Sequence, residues 1–460
     1  RHKGGFMRSL ILFLTLLLWT PVAAAVQCPI PNCPPDQLCF CPPPPPHFMV
    51  LENKGGEKLK ARIDTYMQRV RGNLKLTAMF QFQEKFGPKA EPANKPEDQI
   101  PDWTVLAFEA TEKNGAVALV VKVGQRAPVR SVKRAELATL SVEIPAGIDA
   151  LGQGRLLDGL TNDIMKVILK RRFAAFGTRM AYVDKQGPGR SVIRLLTVDA
   201  GNAEIASDKG ILAGFATSMN RGPVWSPDRR NILFTSNIRN NQDLYIVPTD
   251  LSREPHRISA MPGMNHSPTF TPDGLRIALT MDHAGSPDLF VLKTDFVTTR
   301  KWRIEKQLTT HHDIDTSAAF SPDGRRVAFV SARNGRAQIY IMNADGTEQK
   351  LLLSTPNRTF TPRWCKSDER EYLAFTQLVG NESVIYVYNV ASSQGWQVTP
   401  DGAGDAENPT WSPHCNLIAY QSNGSASTPA GIYISPLVGG AAALLFKGTA
   451  SMPAWEPPTP

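Results

Sequence analysis

At 460 residues the chain has room for more than one domain, and 42 % of it is hydrophobic. Lys and Arg number 51 against 42 Asp and Glu, for a formal net charge of +9. The clusters Arg130, Lys133, Arg134 and Lys170, Arg171, Arg172 are too scattered to make a nucleic-acid-binding stripe, so the excess, which falls mainly before residue 178, is read as solvated charge.

The chain opens with Arg1, Lys3 and Arg8 ahead of an apolar run over residues 10–19, and Ala23-Ala24-Ala25 follows with the small residues of a cleavage site. This order predicts a secretory signal over residues 1–25. The run is short for a membrane span and no later stretch approaches that length, so the processed chain is expected to be exported, soluble and at most peripheral to a membrane. Lipid attachment at Cys28 is the rival reading, disfavoured by Gln27 where a lipoprotein signal carries a small residue.

Residues 26–46 hold four of the six cysteines, Cys28, Cys33, Cys39 and Cys41, and end in five consecutive prolines. In an oxidising compartment these cysteines are candidates for two local disulfides of open connectivity, and their spacing matches no standard zinc pattern. The prolines predict a stiff spacer of about 3 Å per residue.

Residues 47–177 predict a small α/β domain. Apolar positions Leu59, Ile63, Tyr66, Met67 and Val70 share one helical face over residues 58–71, and residues 74–82 read as a strand. A Pro-rich loop covers 87–101. Residues 103–109 and 116–123 form a hairpin across Lys113-Asn114-Gly115, whose Asn-Gly pair suits a tight turn. A second helix is expected over residues 151–173.

Residues 178–460 are built on a repeat. Ser321-Pro322-Asp323-Gly324 joins two apolar runs by a tight turn, in which Pro sets φ, Asp bonds its own backbone and Gly accepts positive φ. The same grammar recurs, with aromatic positions Trp225, Phe270, Phe320, Trp364, Trp411 and Trp455 spaced by 45, 50, 44, 47 and 44 residues. That period and the near-continuous apolar runs predict four-stranded blades stacked face to face, hence a mainly β protein with a six-bladed β-propeller after the α/β domain. Runs around Tyr182 and Leu196 lack a first strand, and Pro453-Ala454-Trp455 is a first strand with nothing after it. The terminal segment is therefore expected to complete the opening blade and close the ring. Cys365 and Cys415 occupy the Ser and Gly positions of successive turns, and the expected spacing of adjacent turns argues against a bond between them.

The run from Leu160-Thr161-Asn162-Asp163 to Phe176-Gly177-Thr178-Arg179-Met180-Ala181-Tyr182-Val183, together with leader, α/β domain, six repeats and terminal Pro-Ala-Trp, resembles TolB-like proteins in order and content. The resemblance implies a periplasmic component of the Tol–Pal envelope system, docking through its propeller on the peptidoglycan-associated lipoprotein Pal and communicating with TolA through its N-terminal region. The Cys/Pro arm departs from the family pattern and puts the TolA contact in doubt.

No Gly-x-Ser-x-Gly elbow, His-Glu-x-x-His motif or phosphate-binding Gly loop is present, so the chain is read as non-enzymatic, without cofactor or catalytic residues. His311-His312-Asp313 looks ligand-like but falls in an interblade loop and is read as a solvated cluster, not a metal site. In a propeller the residues just before each inner strand ring one mouth, which here selects Asn220-Arg221, Asn265-His266, Asp315-Thr316, Arg358-Thr359 and Glu407-Asn408. The partner-binding residues expected from this geometry are Asn265, His266, Asp315, Thr316, Arg358, Glu407 and Asn408; by the resemblance, this face meets Pal. The alternative is a propeller that takes a small ligand or cell-wall glycan in its channel.

Overall fold

The computed structural model describes residues 47–82, 103–126, 135–169, 172–199, 211–213, 217–259, 261–282, 285–294, 302–367 and 370–459. The leader, the Cys/Pro arm with Cys28, Cys33, Cys39 and Cys41, and the loop over 87–101 lie outside them.

The first unit is a five-stranded sheet with two helices. Strand β1 (His47–Asn53) runs parallel to β2 (Phe80–Phe82) and to β3 (Trp103–Lys113), and β4 (Ala116–Arg126) and β5 (Ala135–Ile144) follow antiparallel in the order β2-β1-β3-β4-β5. The β3–β4 hairpin turns at Asn114 and Gly115, with φ of 52° and 80°. Two successive positive φ values match the twist of the flanking strands, which is why Asn-Gly was legible there.

Helix α1 (Lys60–Leu76) runs further than the sequence suggested and displaces the strand expected from residue 74. Leu74 lies four residues after Val70, so it joins the face that buries Ile63, Tyr66 and Val70, and the helix ends only after that contact is made. Helix α2 (Ala150–Leu169) begins where the Asp149 carboxylate accepts the Gly152 N–H at 2.7 Å. The helices are locked by Asp158, which accepts from Arg69 Nε and Nη2 at 3.0 and 2.9 Å and from Asn73 Nδ2 at 2.8 Å.

Six four-stranded antiparallel sheets make up the rest of the described chain. Sheet I combines the terminal strand Ala450–Trp455 with Arg179–Gly187, Arg190–Thr197 and Ile211–Ala213. Sheets II to VI begin with Asn220–Trp225, Asn265–Phe270, Asp315–Phe320, Arg358–Ser367 and Ala406–Trp411, each followed by its next three strands in sequence order. The six first strands touch in succession, and the terminal strand of sheet I touches the first strand of sheet II as well as that of sheet VI. Trp225 Nε1 donates to the Ala454 carbonyl at 2.8 Å across the first of these junctions.

The turns do the work read from their sequence. Ser321 Oγ donates to Asp323 Oδ1 at 2.6 Å and accepts the Arg326 N–H at 3.0 Å, while Asp323 Oδ1 also accepts the Arg325 N–H at 3.1 Å. The Ser321 hydroxyl and that backbone N–H hold the Asp323 carboxyl below the usual carboxylate range. Gly324 takes φ 71°, and a Cβ there would lie 3.7 Å from Pro272 in the preceding turn.

That approach explains the correction required at Cys365 and Cys415, which form a disulfide with Cα atoms 5.9 Å apart. Cys415 fills the Gly position, with φ 61°, so its side chain projects toward the preceding turn, where Cys365 sits. Adjacent turns are therefore within disulfide reach.

One buried cluster joins the two units. Leu160, Ile164, Phe173 and Phe176 belong to the same core as Met180 and Tyr182 of sheet I, Leu417 and Ile434 of sheet VI, and Trp455. Asn162 braces this junction, since its Oδ1 accepts the N–H groups of Ala175 and Phe176 at 3.2 and 3.1 Å and its Nδ2 donates to the Phe176 carbonyl at 2.9 Å.

Candidate functional site

Every first strand carries the same irregularity. Gly222, Ser267, Ser317, Thr361, Asn408 and Met452 have φ of 59°, 50°, 58°, 49°, 55° and 49°, and the pairing with the second strand shifts register at each. Five of the six are not glycine, so a left-handed conformation that ordinary side chains disfavour is held in place by its surroundings. Three of the bulges are braced by the preceding sheet: the N–H groups of Ser317, Asn408 and Met452 donate to Thr280 Oγ1, Thr376 Oγ1 and Gln421 Oε1, at 3.3, 3.2 and 2.7 Å. A bulge bends its strand and re-aims the side chains beside it. The predicted mouth residues sit just upstream, except Asn408, which is itself the left-handed residue of its strand.

Two of them are spent internally. Asn265 is fully buried, with Nδ2 donating to the carbonyls of Met261 and Gly263 at 2.8 and 3.1 Å and Oδ1 accepting from Ser259 Oγ at 3.0 Å. Asp315 is also fully buried, and its Oδ2 accepts from Arg333 Nη2 at 2.9 Å. The Asp315 charge adds to burial in raising the Asp288 carboxyl above its ordinary value. These side chains brace the loops at the rim and offer no surface of their own.

The others lie outward. His266 is half-buried, with Nδ1 3.0 Å from Ser267 Oγ, and burial pushes its imidazole below the ordinary value. Thr316 Oγ1 lies 3.1 Å from Thr280 Oγ1 of the preceding sheet. Glu407 accepts from Gln421 Nε2 at 3.2 Å and from Ser383 Oγ at 3.4 Å, and Asn408 holds the left-handed position after it. Arg358 is exposed and stands one residue ahead of the register shared by Asn265 and Asp315, a place that Thr359 takes in its own sheet.

His311, His312 and Asp313 place one donor atom each within 4.8 Å of one another on the loop leading into sheet IV. The Asp313 N–H donates to His311 Nδ1 at 3.1 Å, and His312 is 84 % exposed.

Against known families, residues 168–459 match the PD40 model, the TolB beta propeller domain. The chain belongs to this TolB propeller family. Its structure is similar to that of TolB from Acinetobacter baumannii, with a TM-score of 0.67 at 18 % identity over 90 % of this chain and 98 % of that one. A putative TolB from Agrobacterium tumefaciens gives a TM-score of 0.44 at 18 % identity, covering 59 % of this chain and 90 % of that one. A puromycin-hydrolysing peptidase from Mycobacterium tuberculosis gives 0.41 at 12 % identity, over 74 % of this chain and 53 % of that one. No curated protein matches the sequence. Among the described residues, no helix is long and apolar enough to cross a membrane.

On this TolB-type propeller the sequence reading missed three side chains. Met264 and Ile314 are large hydrophobics, 48 % and 50 % exposed, each one residue before the buried polar group of its first strand. The signal was present as an apolar residue at a loop position in two successive repeats. The third is Arg363, the charged member of an otherwise uncharged set of equivalent positions.

Proposed function

We propose that this chain is a non-enzymatic, periplasmic component of a Tol–Pal-type system, which docks through the propeller mouth on a Pal-type peptidoglycan-associated lipoprotein and supports outer-membrane integrity. In this reading residues 47–177 are a small α/β domain like the N-terminal one of TolB, and residues 178–460 are a six-bladed propeller closed by its last strand. The leader over 1–25 exports the chain, and the arm over 26–46 stands where a TolB-like protein carries its TolA-signalling segment.

The observation that carries the docking surface is the pair Met264 and Ile314, half exposed at the same register on neighbouring sheets, with His266 and Thr316 just behind them and Arg358 on the next sheet. Apolar side chains held out beside polar ones match the make-up of a protein–protein interface, and water-exposed Met and Ile gain from being covered.

Calorimetric titration with the purified soluble domain of the Pal-type lipoprotein from the same organism tests this. Met264→Asp with Ile314→Asp is expected to weaken binding at least tenfold, about 1.4 kcal/mol, with the melting temperature unchanged. Absence of binding by the unaltered chain would sink the Pal reading, and unaltered affinity in the double variant would move the docking surface elsewhere.

A further inference from the structure

We propose that the centre of the ring of first strands holds an oxyanion site built on Arg363. Val224, Thr269, Ala319, Arg363, Thr410 and Ala454 occupy one equivalent position, two residues after the left-handed residue of each first strand and paired with its second strand. Five of these side chains are small and uncharged. The sixth is a guanidinium.

First strands are the edge strands of their sheets, and they contact one another around a ring, so their uncovered edges face its centre. Arg363 lies on such an edge. Water reaches part of its side chain, yet protein surrounds it, and its one side-chain bond runs from Nη1 to the Pro362 carbonyl at 3.0 Å. Several arginines of the sheets have carboxylate partners: Arg276 meets Glu305, Arg326 meets Glu371 and Arg333 meets Asp315. Among the described residues no carboxylate pairs with Arg363. Burial alone acts on its pKa and pulls it below the ordinary guanidinium value.

A guanidinium stays charged in proteins and carries five N–H donors. A half-buried cation with most of its donors unspent by protein is costly unless water or an anion meets them, and an anion meets them most strongly. The planar fork suits a carboxylate or a phosphate, each of which presents two oxygens to it. The side chain also starts from a fixed backbone. Trp411 Nε1 donates to the Arg363 carbonyl at 2.9 Å, Thr361 Oγ1 lies 3.0 Å from Thr376 Oγ1, and the Cys365–Cys415 disulfide anchors the strand two residues on. A site held in this way needs little rearrangement to bind. It is independent of the docking surface at the mouth and stands whether or not Pal binds.

The test uses the purified chain and its Arg363→Met and Arg363→Lys variants. Each is titrated with sodium phosphate and, separately, with sodium acetate, at an ionic strength fixed with sodium chloride. Tryptophan fluorescence reports the site through Trp364 and Trp411, and thermal unfolding reports the linkage. In the unaltered chain we expect a saturable change, with a melting temperature raised on the order of 5 °C at a hundredfold excess over Kd. Arg363→Met should not respond, and without added anion it should melt above the unaltered chain, because the uncompensated cation is gone. Arg363→Lys should bind at least tenfold more weakly, since a point charge replaces the fork. A response to phosphate alone assigns a phosphate-bearing ligand, and one to acetate alone assigns a carboxylate such as a peptide supplies. The proposal falls if neither anion gives a saturable response, or if Arg363→Met responds like the unaltered chain. Should Arg363→Met not fold, an unchanged Kd in Arg363→Lys overturns it.

Discussion

The backbone N–H of Arg179 donates to Glu456 Oε1 at 2.8 Å and its guanidinium to Oε2 at 2.9 Å, joining residues 277 positions apart. The Glu456 N–H returns a bond to the Arg179 carbonyl at 2.9 Å, and Trp455 Nε1 donates to Thr178 Oγ1 at 2.7 Å. The end of the chain is thus clamped to the first residues of sheet I by side chains as well as by the ladder. Glu456→Ala leaves both Arg179 groups short of an acceptor in a half-buried place, and a loss of about 2–3 kcal/mol is expected by urea unfolding. Glu456→Gln keeps one acceptor and should lose less than half of that. Removing residues 449–460 strips the edge of Arg179–Gly187, and concentration-dependent association by light scattering is the expected outcome.

Much of this was legible because each residue of the repeat has one physical task. Ser, Pro, Asp and Gly at a turn set its hydrogen bonds and its φ, so Ser321 to Gly324 could be read without neighbours. The terminal Pro-Ala-Trp strand was legible for the same reason, since a first strand without a second must pair elsewhere. What failed depended on contacts between elements. Leu74 and Leu76 alternate like strand residues, and only packing of α1 on its sheet and on α2 brings both into the core as helical residues. Strands β1 and β5 went unread because neither is marked by a turn signal like Asn114-Gly115. The predicted mouth residues lie at or just before the bulge of their first strands, and which of them are exposed follows from that bulge, so Asn265 and Asp315 could not be told from Met264 and Ile314. Arg363 stood in plain view beside Trp364, and aligning the six first strands is what makes it an exception.

The disulfide between Cys365 and Cys415 closes a segment with a sequence separation of 50, which on a chain-entropy basis corresponds to about 4 kcal/mol. Replacing the pair by Ser and Ala should lower the melting temperature in non-reducing buffer and remove the sensitivity of the unaltered chain to reductant. Peptide mapping without reduction should recover the two cysteines as one linked species. An unchanged melting temperature in the double variant would show that the loop is already ordered in the unfolded chain.

Asp158 is buried, and three donors from α1 converge on it, so its removal takes the main acceptor from both a guanidinium and an amide. Arg69 also meets Asp199 at 3.1 Å, which ties α1 to the loop after sheet I's third strand. Asp158→Ala is expected to cost about 3–5 kcal/mol, as breaking a buried ion pair does. Asp158→Leu should be no better, because Arg69 and Asn73 still lose the carboxylate acceptor that Asp158 gave them, even though Arg69 keeps Asp199 and Asn73 keeps Thr161 Oγ1. Restoring most of the loss by adding Arg69→Met and Asn73→Leu would confirm that the cost lies in the abandoned donors and not in the packing of α2.

His266 gives the mouth a pH dependence with a definite sign. Burial holds its imidazole below the ordinary value of 6.5, and no charged neighbour contributes to that shift. The unfolded chain takes up the proton first as pH falls, so the native state loses stability from 6.5 downward until the lowered native value is passed. Above 6.5 the contribution is fully present. Urea unfolding at about pH 7.5 and about pH 5.5 should show a larger loss in the unaltered chain than in His266→Gln, which cannot titrate. A docked partner would enclose the ring further and lower its proton affinity again, so binding should weaken over the same interval and become pH-independent in His266→Gln. Parallel losses in the two proteins would mean that the imidazole stays open to water, and the mouth would then have no acid sensitivity of its own.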